Sequence, residues 1–229
     1  MSELDYWARN SPIAADHIAA GSFETAAQIL NRQAGVVNFA PLKSRFLDVY
    51  RASKLHLTAT DELSSLPYYV RRNIETERYQ NALPAIPGQN TLKDTLQEAY
   101  KAIKANKLEQ AISLFRSIIY TILTLSVESK SEEDEAKRIL GICKEYILAF
   151  SIELERRACT DVKRKLELAA YFTKPKLERS HAHLALNVAM REAFSQKNYV
   201  SASNFADKFL KVSPTGSGAE TARKIKAKS

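Results

Sequence analysis

The nitrogen and sulfur side chains that most often bind a transition-metal ion are the four histidines and two cysteines of this 229-residue chain. His181 and His183 form an H-x-H pair, but side chains two residues apart on a helix point to nearly opposite sides, whereas metal-binding pairs on a helix lie at i and i+4. Cys143 and Cys159 are distant from both in the sequence, and two cysteines cannot build a four-thiolate zinc site. The spacing therefore predicts neither a metal nor a cofactor.

Covalent or acid–base catalysis would need an activated nucleophile or a pair of carboxylates. Cys143 lies in an apolar helical stretch and is predicted to be a small buried core residue, whereas Cys159 follows two arginines that would lower the pKa of its thiol somewhat. Glu153 and Glu155 fall on different faces of a predicted helix and do not form an acid–base pair. The sequence also lacks the phosphate-binding glycine loops and the G-x-S-x-G nucleophile elbow. We therefore predict no catalytic residues and no enzymatic activity.

The charge of the chain is unevenly distributed. It holds 34 Lys and Arg against 26 Asp and Glu, yet residues 1–90 balance nine basic with nine acidic side chains, so the excess of eight falls in residues 91–229. The basic tail, residues 223–229, is typical of a frayed, solvated helix end. The sequence shows no stripe of basic residues with aromatic side chains between them on which bases could stack, so nucleic-acid binding is not expected. A peripheral membrane or phosphoinositide-binding module that uses the basic C-terminal half remains an alternative.

The composition favours a folded, cytosolic protein. Hydrophobic residues make up 45% of the chain, which is enough for a sizeable core. The longest stretch without charge between Arg116 and Glu128 is the eleven residues 117–127, whereas a membrane-spanning helix needs about 20. The first residues, M-S-E-L-D, contain no apolar run, so no secretory signal is expected, and two cysteines suit a reducing compartment.

A short turn pattern occurs three times, as G-S-F-E-T-A at 21–26, N-K-L-E-Q-A at 106–111 and K-N-Y-V-S-A at 197–202. Each copy lies between stretches of helical period, which predicts a helical hairpin with a tight break and a small alanine where two helices approach. The third copy continues in a way that is similar to the second half of a tetratricopeptide repeat. The copies are too far apart for a tandem array, so we predict a mainly α, irregular helical-hairpin (tetratricopeptide-like) bundle, with residues 109–127 as its central core helix.

The segment 35–90 differs from the rest, since it holds four of the seven prolines. K-L-H-L-T-A-T at 54–60 alternates apolar and polar residues as a strand does, and 66–72 is a possible partner strand, which predicts a short β-hairpin in 54–72. Whether this hairpin folds back on its own helices or forms an exposed docking arm stays open. The predicted domains are 1–90, a helical hairpin with this Pro- and aromatic-rich arm, and 91–229, a helical body, unless the two are one continuous domain.

Several stretches together resemble the C-terminal domain of the coatomer alpha subunit, and the segment D-H-I-A-A-G-S-F-E-T-A-A is the most specific of them. They occur in the right order and span nearly the whole chain, at 10–39, 146–157, 164–173 and 198–210. The resemblance implies a non-enzymatic assembly element of the COPI vesicle coat, in ER–Golgi transport, that binds the coatomer epsilon subunit. It also implies a cytoplasmic location, peripherally on Golgi and COPI vesicle membranes and alongside the rest of coatomer.

The same resemblance limits what can be assigned to this chain. Family members carry upstream propellers that read dilysine cargo tails and a further cysteine-containing C-terminal segment, and neither is in this sequence. We therefore expect a fragment, and no cargo recognition is assigned to it.

The partner-binding residues are predicted from pattern, as apolar and aromatic positions of the arm and of the loop before it. Tyrosine is enriched in interface cores, and neighbouring arginines suit an interface rim. A permanent complex is expected to bury over about 2,000 Å². The predicted anchors are Val36, Val37, Phe39, Leu55, Leu57, Leu66, Tyr68 and Tyr69.

Overall fold

The chain is mainly α-helical in the computed structural model, which describes residues 9–60, 64, 66–69, 89–125, 127 and 129–228. The predicted fold class is confirmed. The helices of the described part are α1 (Ala14–Ala19), α2 (Phe23–Ala34), α3 (Lys43–Ala52), α4 (Gln89–Lys104), α5 (Leu108–Leu123), α6 (Lys130–Ala158), α7 (Val162–Phe172), α8 (Arg179–Ser195), α9 (Tyr199–Val212) and α10 (Ser217–Lys228). A 3-10 helix (Ala40–Leu42) precedes α3, and the strands β1 (Lys54–Leu57) and β2 (Leu66–Tyr69) follow it.

The three copies of the turn pattern form the same backbone turn. The first residue of each copy, Gly21, Asn106 or Lys197, is left-handed, with φ of 84°, 57° and 58°. In each copy this residue donates its N–H to the carbonyl three residues earlier, and the next residue donates to the carbonyl five residues earlier. These are the two hydrogen bonds of a Schellman helix end. The alanine five positions into each copy (Ala26, Ala111, Ala202) is fully buried, as predicted for a close approach of helices.

The chain divides into two compact units, unit 1 (Met1–Gln97 and Ser117–Arg138) and unit 2 (Glu98–Arg116 and Ile139–Ser229). The core of unit 1 is formed by apolar side chains of α1, α2 and α3, among them Ile18, Leu30 and Val49. The Phe23 ring lies 6.3 Å from that of Phe46, so an aromatic pair joins α2 to α3. The predicted division into 1–90 and 91–229 stays a prediction.

The C-terminal helices of unit 2 pack in sequence order, α7 on α8, α8 on α9 and α9 on α10. Met190, Phe209 and small alanines fill the space between α8, α9 and α10. Asp161 caps α7, because its carboxylate accepts the Lys163 N–H at 3.0 Å. No helix in the described ranges combines the length and apolar composition that a membrane crossing requires.

Two predicted features differ from the structure. The core helix α5 ends at Leu123, four residues before the predicted end, because the Thr124 hydroxyl bonds the carbonyls of Tyr120 and Thr121 and competes with the helix. The basic tail was predicted to fray, but it forms α10 through Lys228. Three apolar residues at helical spacing, Ala219, Ala222 and Ile225, bury its inner face and hold it in place.

Candidate protein-docking surface

The loop between α2 and the 3-10 helix holds three of the predicted anchors. Gly35 ends α2 in a left-handed conformation with φ 67°, and the Asn31 side-chain amide donates to the Val36 carbonyl at 3.0 Å. Val36 and Phe39 are half-buried and pack against the core of unit 1, so part of their surface is already used within the chain. Val37, in contrast, is 85% exposed. The structure thus leaves Val37 as the accessible apolar side chain of this loop.

The arm, defined here as strands β1 and β2, begins from a fixed base at the end of α3. Ser53 is fully buried, and its hydroxyl donates to the Val49 carbonyl at 2.8 Å. The Lys54 ammonium hydrogen-bonds the Tyr50 hydroxyl and lies 3.8 Å from the centroid of that ring, while the same ring meets Phe23 edge-on at 5.2 Å. Cation–π and aromatic contacts of this kind contribute about 0.5–1.5 kcal/mol each. These contacts position the start of the first strand relative to α3 and α2.

The arm is the predicted β-hairpin, and its strands pair antiparallel with a defined register. Leu55 lies opposite Tyr68, and Leu57 lies opposite Leu66. Because alternate strand positions belong to the same face of a sheet, these four positions fall on one face, and the position of Tyr69, opposite Lys54, falls on the other. Residues 70–72 of the predicted second strand, and the side chains of Leu57, Leu66, Tyr68 and Tyr69, lie outside the described part.

Exposed large apolar side chains of unit 1 lie close together in the sequence within the described ranges. They are Val37, Leu47 and Leu55, and Leu55 is 50% exposed. The sequence analysis missed Leu47 because it lies inside a helix. A signal was present: Phe46 and Val49 mark the buried face of α3, and Leu47 falls off that face. Leu47 is therefore a further exposed apolar side chain of unit 1.

His181 and His183, the H-x-H pair that the sequence analysis considered as metal ligands, both contact aromatic side chains within unit 2. The Tyr146 hydroxyl lies 2.7 Å from His181 Nδ1 and accepts the Glu178 N–H, while Tyr100 donates to the Glu178 carboxylate at 2.7 Å. Burial raises the pKa of Tyr146 to about 12 and lowers the pKa of His181 below its usual value. The His183 ring lies against Phe209, at 6.1 Å. His181 and His183 therefore contact different parts of the unit.

Glu153 forms ion pairs with two arginines of its own helix. Arg156 and Arg157 each donate to it at 2.8 Å, and Arg156 also reaches Glu192 of α8 at 3.2 Å. Burial alone would raise the pKa of the Glu153 carboxyl, but the hydrogen bonds from both arginines outweigh it and hold the pKa below its usual value. Glu155 is exposed. Glu153 is thus an ionised link between helices rather than one of a pair of catalytic carboxylates.

The two cysteines have different surroundings. Cys143 is fully buried, as predicted, and burial raises the pKa of its thiol to about 12. Cys159 is half-buried, and its Sγ lies 3.6 Å from the Asp161 carbonyl oxygen. The described residues contain no group of three His, Cys, Asp or Glu side chains arranged to hold a metal ion.

The fold defines a class of protein, a helical-hairpin domain that carries a short β-arm on which Leu55 is exposed. The family described as the C-terminus of the coatomer (COPI) alpha subunit matches residues 1–229, and the chain belongs to that family. It is 46% identical over 226 residues to a putative coatomer subunit alpha of Schizosaccharomyces pombe and 43% identical over 229 residues to coatomer subunit alpha of Saccharomyces cerevisiae. These alignments cover 97% and 99% of this chain but 19% of each relative, so the chain spans about a fifth of their length.

Proposed function

We propose that this chain is a non-enzymatic docking domain of the COPI coat, and that its arm binds the coatomer epsilon subunit during vesicle transport between the ER and the Golgi. In this role it works in the cytoplasm with the remainder of coatomer, peripherally on Golgi and COPI vesicle membranes. Membership of the coatomer alpha family supports the assignment to the coat.

The observation that carries the proposed binding mode is the register of the arm. It assigns four apolar or aromatic positions, Leu55, Leu57, Leu66 and Tyr68, to one face of a sheet that has two strands in the described part of the chain. A lone two-stranded hairpin is marginally stable in water, and an apolar face gains stability when another surface covers it. An epsilon subunit packed on that face supplies the missing layer.

Two segments that precede the arm in the sequence also carry exposed apolar side chains. Val37, Leu47 and Leu55 belong to the loop, helix and strand that follow one another in unit 1. Contiguous exposed apolar patches mark protein interfaces, and the proposed docking surface joins these three side chains. Half-buried Val36 and Phe39 support the loop from beneath, while Tyr69 is at a register position on the opposite face from Tyr68.

The test is co-elution of the chain with the isolated coatomer epsilon subunit on a sizing column. The triple variant Leu55→Asp, Leu57→Asp, Tyr68→Asp should lose co-elution, because truncating even one interface hot spot costs about 2 kcal/mol or more and three buried carboxylates cost further. Its helix content in circular dichroism should match that of the unchanged chain, since the substitutions lie outside the helices.

The matched control places the same kind of substitution on exposed apolar side chains of unit 2: Leu148→Asp, Tyr171→Asp and Leu184→Asp. This control should keep full binding at a one-to-one ratio. If the arm variant still co-elutes, the arm is not the docking site. If only the control loses binding, the site lies on the helices of unit 2, with 179–212 the best candidate.

A further inference from the structure

A groove lies between α7 and α9 in unit 2, and both helices pack on α8. It has a volume of about 450 Å³. Lys163, Leu166 and Ala170 line it from α7, and Asn198, Ser201 and Phe205 line it from the turn before α9 and from α9 itself. We call it the α7/α9 groove.

The shape of this groove suits one face of a helix. Its first and last lining positions are seven residues apart on each side, 163 to 170 and 198 to 205, which at a rise of 1.5 Å per residue is about 10 Å or two helical turns. Leu166, Ala170 and Phe205 provide the apolar part, so a helix with apolar residues at i, i+3 or i+4, and i+7 can place them along the groove. The Gln196 side chain, which also lines the groove, donates to the Val162 carbonyl at 2.8 Å and fixes one end.

Exposed apolar side chains flank the lining residues in the sequence. Val162 precedes Lys163 and is 59% exposed, while Tyr199 and Val200 begin α9 and Val200 is 76% exposed. The Phe194 ring meets the Tyr199 ring edge-on at 5.7 Å, which holds Tyr199 at this end of the hairpin. An apolar groove with exposed apolar residues at its end is typical of an interaction site rather than of a solvated surface.

The lysine side chains around the groove favour a negatively charged partner. Lys163 lines it, Lys197 lies between two lining residues, and the Lys208 ammonium lies 5.7 Å from the centroid of the Phe205 ring. Glu167 also lines the groove, but its carboxylate pairs with Arg164 at 2.9 Å, and the carboxylate of Asp161 caps α7. In the described part of the chain, the ammonium groups of Lys163 and Lys197 have no ion-pair or hydrogen-bond partner. The rim is therefore positive around an apolar floor.

We propose that the α7/α9 groove is a docking site for an acidic amphipathic helix of another protein. Its apolar side fills the groove, and its carboxylates meet the lysines of the rim. This inference goes beyond the proposed function, because the groove belongs to unit 2 and uses no residue of the arm.

The probe is a fluorescein-labelled peptide of about 18 residues, with leucine at i, i+3, i+4 and i+7 of each repeat and glutamate elsewhere. A second peptide carries lysine in place of glutamate. Binding of each peptide to the intact chain is measured by fluorescence anisotropy at low salt and at about 0.5 M salt. The acidic peptide should bind at least tenfold more tightly than the basic one, and added salt should reduce this ratio.

Two variants test the site itself. Lys163→Glu with Lys197→Glu should weaken binding of the acidic peptide at least tenfold, and Ala170→Gln should do the same by filling the groove. The matched controls, Lys224→Glu with Lys228→Glu and Ala227→Gln, make the same changes on exposed positions of α10. Binding to the controls should stay within twofold of the unchanged chain, which separates the groove from a general effect of net charge.

Several outcomes would overturn the proposal. One is that the acidic peptide fails to bind at about 1 mM, and another is that the groove variants and the α10 controls weaken it equally. Self-association on a sizing column that Ala170→Gln abolishes would assign the groove to a second copy of the chain. A further outcome is that the chain floats with vesicles of anionic lipid but does not bind the acidic peptide. If the Lys163→Glu, Lys197→Glu variant then fails to float, the groove would be assigned to a membrane surface.

Discussion

Replacing Gly21 with alanine should destabilise unit 1 by about 2–3 kcal/mol, because two costs add at this position. A non-glycine residue in the left-handed conformation costs roughly 1–2 kcal/mol, and Gly21 has φ 84°. An added Cβ would also lie 3.0 Å from Cε2 of Tyr50, and overpacking of this kind costs about 1–3 kcal/mol. The alanine restricts the unfolded chain and returns about 0.4–1 kcal/mol.

The assay is urea unfolding followed by circular dichroism, with the free energy of unfolding compared at equal slope. Gly35→Ala is the matched control for backbone strain alone, since Gly35 has φ 67° and no atom within 4 Å of an added Cβ. It should cost about 1 kcal/mol. Gly141→Ala, on an exposed and open position of α6, should instead stabilise the chain by about 1 kcal/mol.

The difference between Gly21→Ala and Gly35→Ala isolates the contact with Tyr50. A cycle with Tyr50→Ala should recover about 1 kcal/mol of the Gly21→Ala cost, because the ring that meets the new Cβ is gone. Equal costs at Gly21 and Gly35, or no coupling in the cycle, would refute the close approach of α3 to the first hairpin turn.

Three other changes should separate buried from exposed groups. Tyr146→Phe should cost about 1–3 kcal/mol in urea unfolding, since it leaves buried partners without the hydroxyl, whereas Tyr171→Phe on the surface should stay within about 0.5 kcal/mol. The ionised Glu153 carboxylate stabilises the folded chain at a pH above its unfolded pKa, near 4.5, and this stabilisation is lost as the pH falls through the lower folded pKa. Glu153→Gln should therefore lower the free energy of unfolding at neutral pH, and the difference from the unchanged chain should become smaller in acid. Cys159 should react with a thiol reagent in the folded chain before Cys143, and equal rates would contradict the burial of Cys143.

The helical hairpins could be predicted from the sequence because each turn is a local device. A left-handed residue, two backbone hydrogen bonds and a buried alanine lie within about ten residues, and Gly21 and Asn106 are residue types that favour this conformation. Lys197 is the exception, because a lysine carries no such preference. It was predicted only because the following apolar residue and alanine repeat the spacing of the other two turns.

The polar links and the α7/α9 groove could not be predicted in this way, because their members come from distant parts of the chain. Tyr146 meets His181 across 35 residues, and Arg156 reaches Glu192 across 36. Sequence periodicity assigns a face to each helix, but it does not give the neighbour on that face. The tail helix α10 was not predicted, because the basic composition of the tail concealed three apolar residues that join the core between α8, α9 and α10.

The arm lies between these two cases, and this explains why its fold was easier to predict than its role. The alternation of apolar and polar residues predicted the strand β1, because a period of two residues is a local property of the sequence, and 66–72 was the possible partner strand nearby. A two-stranded sheet has one layer, however, so the residues that cover its apolar face cannot belong to its own strands. Covering the face near Leu55 requires either other residues of this chain or another polypeptide. If the covering polypeptide is the epsilon subunit, hydrogen exchange of the amides in β1 should slow when that subunit is added, while exchange at the α8–α9 turn should not change.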